Sequence, residues 1–419
     1  MKITACLTGA VFMALAQPAV AAQTCPATFS ATEAWTEVRQ ELSENYAYWD
    51  RIDAKRAFDA AAPALLAAPD RLKFADRLDT LLLLFRDSHV HVSPTSEPAA
   101  AWVPSAADLW FASETGRLVV QDVKGASQAQ ALGIRPGWEL VAIEGRAPRQ
   151  TVRERFAAIG VTPDDAQTLY AVNALGSGRL KQSRHMTFRV NGKLKAVTLP
   201  PGYDSVQRPA TPLTVTSFTA PGQPVVTVIR INNSLGDNAL IGAFDAAVAA
   251  LPSDARIVVD MRDTPSGGNT TVARAMIGHF VTEPRPYQRH ELTYERVKYG
   301  VPRTWIEYVA PREATRPAPV VLAGLWTGSM GEGIVIGMDA AAHAQVVGSP
   351  MGQLLGAMIE DELPKACLTI SFANEKLWHV DGRPREDFVP EALVAPADTA
   401  PDGSDAALYE AVKRARAGG

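Results

Sequence analysis

The sequence predicts an α/β protein in three parts: an N-terminal helical region, a small β domain and a C-terminal core of alternating strands and helices. Three observations predict this fold class. Apolar residues recur at helical spacing before residue 90, a Pro-Gly turn opens an apolar strand near residue 137, and strands alternate with helices after residue 213. The length of 419 residues suits two or three domains. We expect them at residues 26–95, 102–201 and 210–419.

The composition is that of an ordinary globular protein, with 47% hydrophobic and 21% charged residues. The formal net charge is -4, and the chain contains no large basic block. A protein that binds nucleic acid or an anionic membrane surface usually carries a cluster of Lys and Arg. The sequence therefore indicates neither kind of partner.

The first 22 residues have the pattern of a secretory signal peptide. Lys2 is followed by an apolar run from Ile3 to Ala16, and small residues end the stretch at Ala21 and Ala22. We expect cleavage near Ala21 or Ala22 and export to the periplasm or beyond. The run is short for a bilayer, and no later segment offers about 18 apolar residues, so no stable membrane span is expected.

Two of the three cysteines, Cys25 and Cys367, remain after removal of the signal peptide. An oxidising compartment would allow them to pair, but the sequence leaves their separation in space open. No cysteine or histidine spacing matches a zinc site. His89 and His91 share a strand face, yet no third ligand is evident near them. Neither a metal nor another cofactor is expected.

The N-terminal region predicts three helices. The first begins at a candidate capping box formed by Ser30 and Glu33, and apolar residues after it recur at helical spacing. Two further helices are expected at Asp53–Ala67 and Asp70–Phe85. A stretch rich in Pro, Ser and Ala at residues 93–101 then predicts a linker to the next domain.

The small β domain is predicted from turns and short strands. Arg117–Val120 has the pattern of a strand, and Ala126–Leu132 that of a short helix. In the following run, Gly133–Gly145, the turn Pro136-Gly137 leads into an apolar strand. A helical insertion is expected over residues 150–181.

The C-terminal core is predicted from its alternation. The expected strands are Val225–Ile231, Arg256–Met261, Val320–Leu325 and Gln345–Val347. The expected helices are Asn238–Leu251, Asn269–Val281 and Gly331–Ala344. Such alternation predicts a largely parallel sheet, whose ligand sites form at the carboxyl ends of strands. Ser329 follows one of these strands and Gly267-Gly268 follows another, so a candidate site is expected at this edge.

Ser329 stands at a strand-to-helix turn, in the run Thr327-Gly328-Ser329-Met330-Gly331-Glu332. Such a turn exposes the hydroxyl and brings backbone N–H groups close to it, as a nucleophile requires. A serine at this position can instead cap the helix, and Glu332 can support the first helical turn or act in catalysis. A nucleophile also needs a base. His89 is the candidate, with His91 as the alternative.

Four segments together resemble the C-terminal-processing (tail-specific) peptidase family. They are Asp87-Ser88-His89, Gly133–Gly145, Asp260-Met261-Arg262 with Gly267-Gly268, and Thr327–Glu332 with the later Glu386. The second is similar to the core signature of a PDZ domain, a module that binds chain ends at a sheet edge. The resemblance implies an N-terminal helical region, a PDZ-like β domain and a crotonase-like protease core of ββα repeats.

The family has a Ser-Lys branch and a Ser-His-Ser-Glu branch. The turn at Met351–Leu354, where the first branch has its lysine, contains none. Ser88 directly precedes His89, and Glu386 stands where the glutamate of the second branch is expected. The resemblance is therefore to the second branch, which includes the tricorn core and the interphotoreceptor retinoid-binding protein.

This resemblance implies the following site residues. Ser329 would be the nucleophile, His89 the general base, Ser88 and Glu386 a hydrogen-bonded relay, and the N–H groups of Met330 and of Gly267 or Gly268 the oxyanion donors. Thr264 stands where the family motif has Asn, and the Gly-Gly loop is one residue longer.

The implied function is that of an exported serine endopeptidase that hydrolyses polypeptides, with a chain end bound by the PDZ-like domain. Two other functions stay open. The fold could carry a non-catalytic peptide- or ligand-binding protein, as the retinoid-binding relatives indicate, or a serine esterase. The oligomeric state does not follow from the sequence.

Overall fold

The structure is a computed structural model that describes residues 25–96, 103–205, 209–265 and 267–418. The expected signal peptide at residues 1–22 lies outside the described residues. Among the helices of the described ranges, none combines the length and apolar character needed to cross a membrane.

The N-terminal region contains the three expected helices. They are α1 (Ala31–Asn45), α2 (Ala54–Leu66) and α3 (Arg71–Leu82), followed by a 3-10 turn at Leu83–Phe85 and by strand β1 (His91–Ser93). Each helix begins at a polar side chain that accepts a backbone N–H from the first turn: Ser30 from Glu33, Asp53 from Arg56 and Asp70 from Lys73. These local signals explain why the helices could be predicted.

The second region is a five-stranded antiparallel sheet flanked by helices. Its elements are β2 (Leu109–Glu114), β3 (Arg117–Val123), α4 (Gln128–Ala131), β4 (Glu139–Ile143), α5 (Pro148–Ala157), α6 (Asp165–Ser177), β5 (Arg184–Val190) and β6 (Lys193–Leu199). The strands pair in the order β2-β3-β4-β5-β6. The predicted turn is present: Gly137 has φ 85° two residues before β4, and the Trp138 N–H donates to the carbonyl oxygen of Arg135.

The C-terminal region alternates as expected. Its first elements are β7 (Leu213–Phe218), β8 (Val226–Ile231), α7 (Ala239–Ala249), β9 (Arg256–Asp260), α8 (Thr270–Ile277), β10 (Arg285–Leu292), α9 (Thr293–Tyr299), β11 (Arg303–Val309), β12 (Val320–Ala323) and α10 (Met330–Ala342). The later ones are β13 (Gln345–Gly348), β14 (Ala357–Leu363), β15 (Leu368–Trp378), β16 (Ala392–Leu393) and α11 (Ala406–Ala417). Six strands form a sheet in the order β16-β13-β12-β9-β8-β7, in which only the edge strand β7 is antiparallel.

A second C-terminal sheet is antiparallel and was not predicted. It has the order β1-β15-β10-β11, and β14 also pairs with β15. Strand β1 comes from the N-terminal region and pairs His91 with Ser371. Because partners so distant in sequence leave no local pattern, only the tertiary structure shows that the helical region and the core share a sheet.

Cys25 and Cys367 form a disulfide, which settles the pairing that the sequence left open. The bridge joins residues 342 positions apart and lies beside the first residue of β15. It fastens the start of the described chain to the antiparallel sheet.

The second region is anchored to the loop that precedes α10. The Trp326 indole N–H donates a hydrogen bond to the carbonyl oxygen of Ala107 at 2.9 Å, and the Trp326 and Trp110 rings meet edge to face. Lys124 forms an ion pair with Asp263 at 2.7 Å, and its ammonium also lies over the Trp326 ring. Trp326, on which these contacts centre, precedes Ser329 by three residues.

Candidate active site

Ser329 occupies a strained turn between β12 and α10. Its backbone has φ 54° and ψ -117°, a conformation that is costly for a residue with a Cβ. The side chain is half-buried, and the Ser329 N–H donates to Glu332 Oε2 at 2.9 Å. This is the geometry of a nucleophile elbow, in which a tight turn presents the hydroxyl at the end of a strand.

Two threonines fix the loop that carries Ser329. The Thr264 N–H donates to Trp326 O at 3.0 Å, and the Gly328 N–H donates to Thr264 O at 3.0 Å. The Thr264 and Thr327 hydroxyls both donate to the carbonyl oxygen of Met261, at 2.7 and 2.9 Å. Thr264 stands where the motif of the similar peptidase family has Asn. It is buried, and its hydrogen bonds link the end of β9 to the Ser329 loop.

The Gly267-Gly268 loop lies beside the first residue of α10. Both glycines have positive φ, at 71° and 123°, and a Cβ on Gly268 would lie 2.6 Å from the Cβ of Met330. Within the described chain, the N–H groups of Gly267 and Gly268 donate to no residue. The N–H of Met330 opens α10, where helices leave their first donors free. Of the predicted oxyanion donors, Gly268 and Met330 are thus adjacent to one another.

His89 is held in one tautomer. Its Nδ1 lies 2.7 Å from the carbonyl oxygen of Leu355, and because a carbonyl only accepts, Nδ1 carries the proton. Nε2 is then the basic nitrogen. Burial lowers the pKa of His89. The His89 N–H donates to Asp87 Oδ1 at 3.0 Å, which fixes the backbone as well. Among the described residues, no hydrogen bond yet joins His89 to Ser329.

Among the described residues, neither the Ser88 hydroxyl nor the Glu386 carboxylate forms a hydrogen bond with His89. The Ser88 hydroxyl donates to the carbonyl oxygen of Val103, and its Oγ lies 3.0 Å from the Tyr170 hydroxyl. Glu386 lies 3.9 Å from Arg51, and burial raises its pKa. Its Oε2 has no hydrogen-bond partner in the part of the chain that the structure describes. The relay of the implied tetrad is therefore not formed by direct hydrogen bonds here.

Two buried charged residues beside the candidate site were missed or left open in the sequence-based prediction. Glu332 is fully buried, and its carboxylate accepts N–H groups from Ser329, Gln353 and Leu354. Arg385, the neighbour of the predicted Glu386, is buried and donates to the carbonyl oxygens of Leu354 and Gly356. A charged residue in a helix start or a polar loop normally faces solvent, so only the tertiary contacts identify this pair.

The remaining candidates have other surroundings. His91 lies in β1, and burial lowers its pKa to about 4, which makes it a weak base at neutral pH. Asp260 and Arg262 form a bidentate ion pair, and Arg262 also binds Asp405. In the described ranges, no group of three or more His, Cys, Asp or Glu side chains could hold a metal ion.

Two solved structures share this architecture. Mature CPAF complexed with lactacystin aligns with a TM-score of 0.61 at 14% identity, over 87% of this chain and 94% of that chain. The photosystem II D1 C-terminal processing protease aligns with a TM-score of 0.55 at 15% identity, over 92% of this chain and 97% of that chain. Neither a family model nor a curated protein matches the sequence. The chain thus has the fold of the C-terminal-processing peptidases.

Proposed function

We propose that this protein is a serine endopeptidase in which Ser329 is the nucleophile and His89 the general base. One observation carries the proposal: the Leu355 carbonyl fixes the proton of His89 on Nδ1 and so leaves Nε2 basic. The strained turn at Ser329 and the fold shared with C-terminal-processing proteases support the same reaction.

In the proposed reaction, Ser329 Oγ attacks the carbonyl carbon of the scissile peptide while His89 Nε2 takes the hydroxyl proton. The charge that develops on the carbonyl oxygen meets the N–H groups of Met330 and of Gly267 or Gly268. His89 then gives its proton to the leaving amine, and an acyl-enzyme ester remains on Ser329. A water molecule, deprotonated by His89, hydrolyses the ester and restores the serine.

Ser88 and Glu386 keep their proposed place in the site. Both are partly buried, and the Glu386 Oε2 atom is without a hydrogen-bond partner in the described chain, so it can still accept a donor when a substrate binds. We propose that they act through rearranged or water-mediated contacts, since hydrogen bonds in unliganded active sites are often long.

The proposed substrate is a polypeptide, and the proposed compartment is outside the cytoplasm. The Cys25–Cys367 disulfide supports the latter, because disulfides persist mainly in oxidising compartments. The antiparallel sheet of the second region could bind a chain end by strand addition, as PDZ domains do. Its anchor on Trp326 would place that chain end near the Ser329 loop.

Labelling with a fluorophosphonate tests the proposal against its two alternatives. We expect one covalent adduct, located at Ser329 by mass spectrometry of the digested protein. A folded protein that does not react would indicate a ligand-binding function instead. A protein that reacts and cleaves nitrophenyl esters, yet leaves unfolded polypeptides intact, would be an esterase. The matched control is Ser349→Ala, which removes another serine at a strand end of the same sheet.

A further inference from the structure

The segment Gln353–Gly356 connects the two halves of the proposed site, and we call it the linking segment. Its Leu355 carbonyl oxygen accepts the His89 Nδ1 proton at 2.7 Å. Its Leu354 side chain reaches the Ser329 loop, since Leu354 Cδ1 would lie 3.0 Å from a Cβ on Gly328. The position of the linking segment therefore decides where His89 points relative to Ser329.

Glu332 binds the linking segment and the nucleophile turn at once. Its Oε1 accepts the Gln353 N–H at 2.8 Å, and its Oε2 accepts the Leu354 N–H at 3.1 Å. The same Oε2 accepts the Ser329 N–H at 2.9 Å. With 0% of its surface exposed, Glu332 makes these contacts without competition from water.

The opposite side of the linking segment is also fixed. Arg385 donates to the carbonyl oxygens of Leu354 and Gly356 at 2.7 and 2.8 Å, and it lies 3.9 Å from Glu332. A Cβ at Gly356 would lie 1.9 Å from the carbonyl oxygen of Glu375, so the backbone there packs directly on β15 and leaves no room for a side chain. Glu332 and Arg385 thus hold the linking segment from its N–H and its carbonyl sides.

We propose that Glu332 is a positioning residue of the peptidase site, whose carboxylate holds the linking segment so that the Leu355 carbonyl orients His89 toward Ser329. The proposal rests on the proposed function. Glu332 does not touch the reacting atoms; it acts through Leu355 and through the Ser329 backbone.

The chemistry of the three contacts requires a carboxylate. Three N–H donors point at two oxygens, and an ionised carboxylate can accept all three. Glutamine keeps one acceptor oxygen and turns an NH2 group toward at least one N–H. A misplacement of about 1 Å at an active site can reduce the rate by about 100-fold, so a small shift of the linking segment is enough.

Burial raises the pKa of Glu332 to about 7, while Arg385 and the three N–H groups favour its charged form. Within the described ranges, Arg385 is the charged side chain that faces it. Protonation would convert one acceptor oxygen into a donor. We therefore expect a partial loss of activity as the pH falls through about 7, superimposed on the larger loss that follows protonation of His89.

The test compares wild type, Glu332→Gln and the control Asp339→Asn, which removes another carboxylate of α10 that contacts His379 instead. We expect kcat of Glu332→Gln to fall by about 100-fold with KM nearly unchanged, and the partial step near pH 7 to disappear. Asp339→Asn should keep the wild-type kcat and the partial loss of activity near pH 7.

The NMR spectrum of the His89 ring gives a second readout. Its 15N shifts, assigned with His89→Gln, should show the Nδ1–H tautomer in wild type and a mixture of the two tautomers in Glu332→Gln.

The outcomes separate this inference from the proposed function. If wild type hydrolyses nothing and resists fluorophosphonate, the proposed function fails. If wild type is active while a folded Glu332→Gln retains its kcat and its pH step, the inference is wrong. Should Glu332→Gln not fold, Glu332→Asp replaces it, because it keeps the charge and retracts the carboxylate by one methylene. We expect Glu332→Asp to lose at least about tenfold in kcat, and a wild-type kcat would overturn the inference.

Discussion

The His89 imidazole and the Leu355 carbonyl lie 2.7 Å apart, measured from Nδ1 to the oxygen. In many serine hydrolases a carboxylate orients the catalytic histidine. Here a backbone carbonyl occupies that place, on a segment that Glu332 and Arg385 hold on both sides. A neutral orienting group fixes the tautomer but gives the imidazolium less electrostatic support than a carboxylate would.

Replacement of His89 should abolish most of the activity and leave the fold intact. We expect His89→Gln to lower kcat by about 100- to 10,000-fold, the usual contribution of a general base. The measurement is hydrolysis of an unfolded protein substrate, with circular dichroism to verify folding. His379→Gln is the control, since His379 binds Asp339 and Asp381. An equal loss in both variants would argue against a specific role for His89.

The pH profile should show a base that stays neutral at unusually low pH. Burial lowers the pKa of His89 below its ordinary value of about 6.5. The neutral ring is the active form, so the final loss of activity on acidification should have its midpoint below about 6.5. The unfolded chain binds this proton first, so stability should also fall as the pH drops through that range. If the final, larger loss of wild-type activity had its midpoint above about 6.5, this assignment would be contradicted.

Gly268 should tolerate no side chain. Alanine there would place its Cβ 2.6 Å from the Met330 Cβ, at a φ of 123°. The displacement would separate the oxyanion donors, and we expect kcat to fall by about 100- to 1,000-fold. The control is Gly116→Ala, at a φ of 81° with open space around it. It should lose some stability and keep kcat. Full activity of Gly268→Ala would remove this loop from the proposed oxyanion hole.

Loss of the Cys25–Cys367 disulfide should lower stability more than activity. The bridge joins residues 342 positions apart, and neither cysteine belongs to the proposed site. We expect the double variant Cys25→Ser/Cys367→Ser to be less stable by about 2–5 kcal/mol, with a kcat close to wild type below its unfolding temperature. Thermal unfolding with and without reductant gives the comparison. A wild-type midpoint that reductant does not change would show that the bridge adds little.

Much of the fold could be predicted because its signals are local. Ser30, Asp53 and Asp70 cap the three N-terminal helices that the sequence indicates. The strand, turn and helix around Ser329 could likewise be predicted from an apolar run followed by small residues. The antiparallel sheet that joins β1 to β15 could not be predicted, because its pairing partners are far apart in the chain.

The site was predicted in part for the same reason. Ser329 and His89 stand in short motifs, whereas Leu355 acts through a backbone atom that no side-chain pattern reveals. The motif also indicates Glu386, whereas Arg385 is the residue whose side chain donates to the carbonyl oxygens of the linking segment. Neighbouring side chains in a short 3-10 turn point in different directions, and only the packing decides which one enters the core.

The most direct measurement is the cleavage of unfolded casein by purified Ser329→Ala beside wild type. We expect the variant to fold normally, to unfold at nearly the wild-type temperature and to lose at least about a thousandfold in rate, because the nucleophile is gone while the remaining site is unchanged. A folded Ser329→Ala that cleaves casein as fast as wild type would contradict the account.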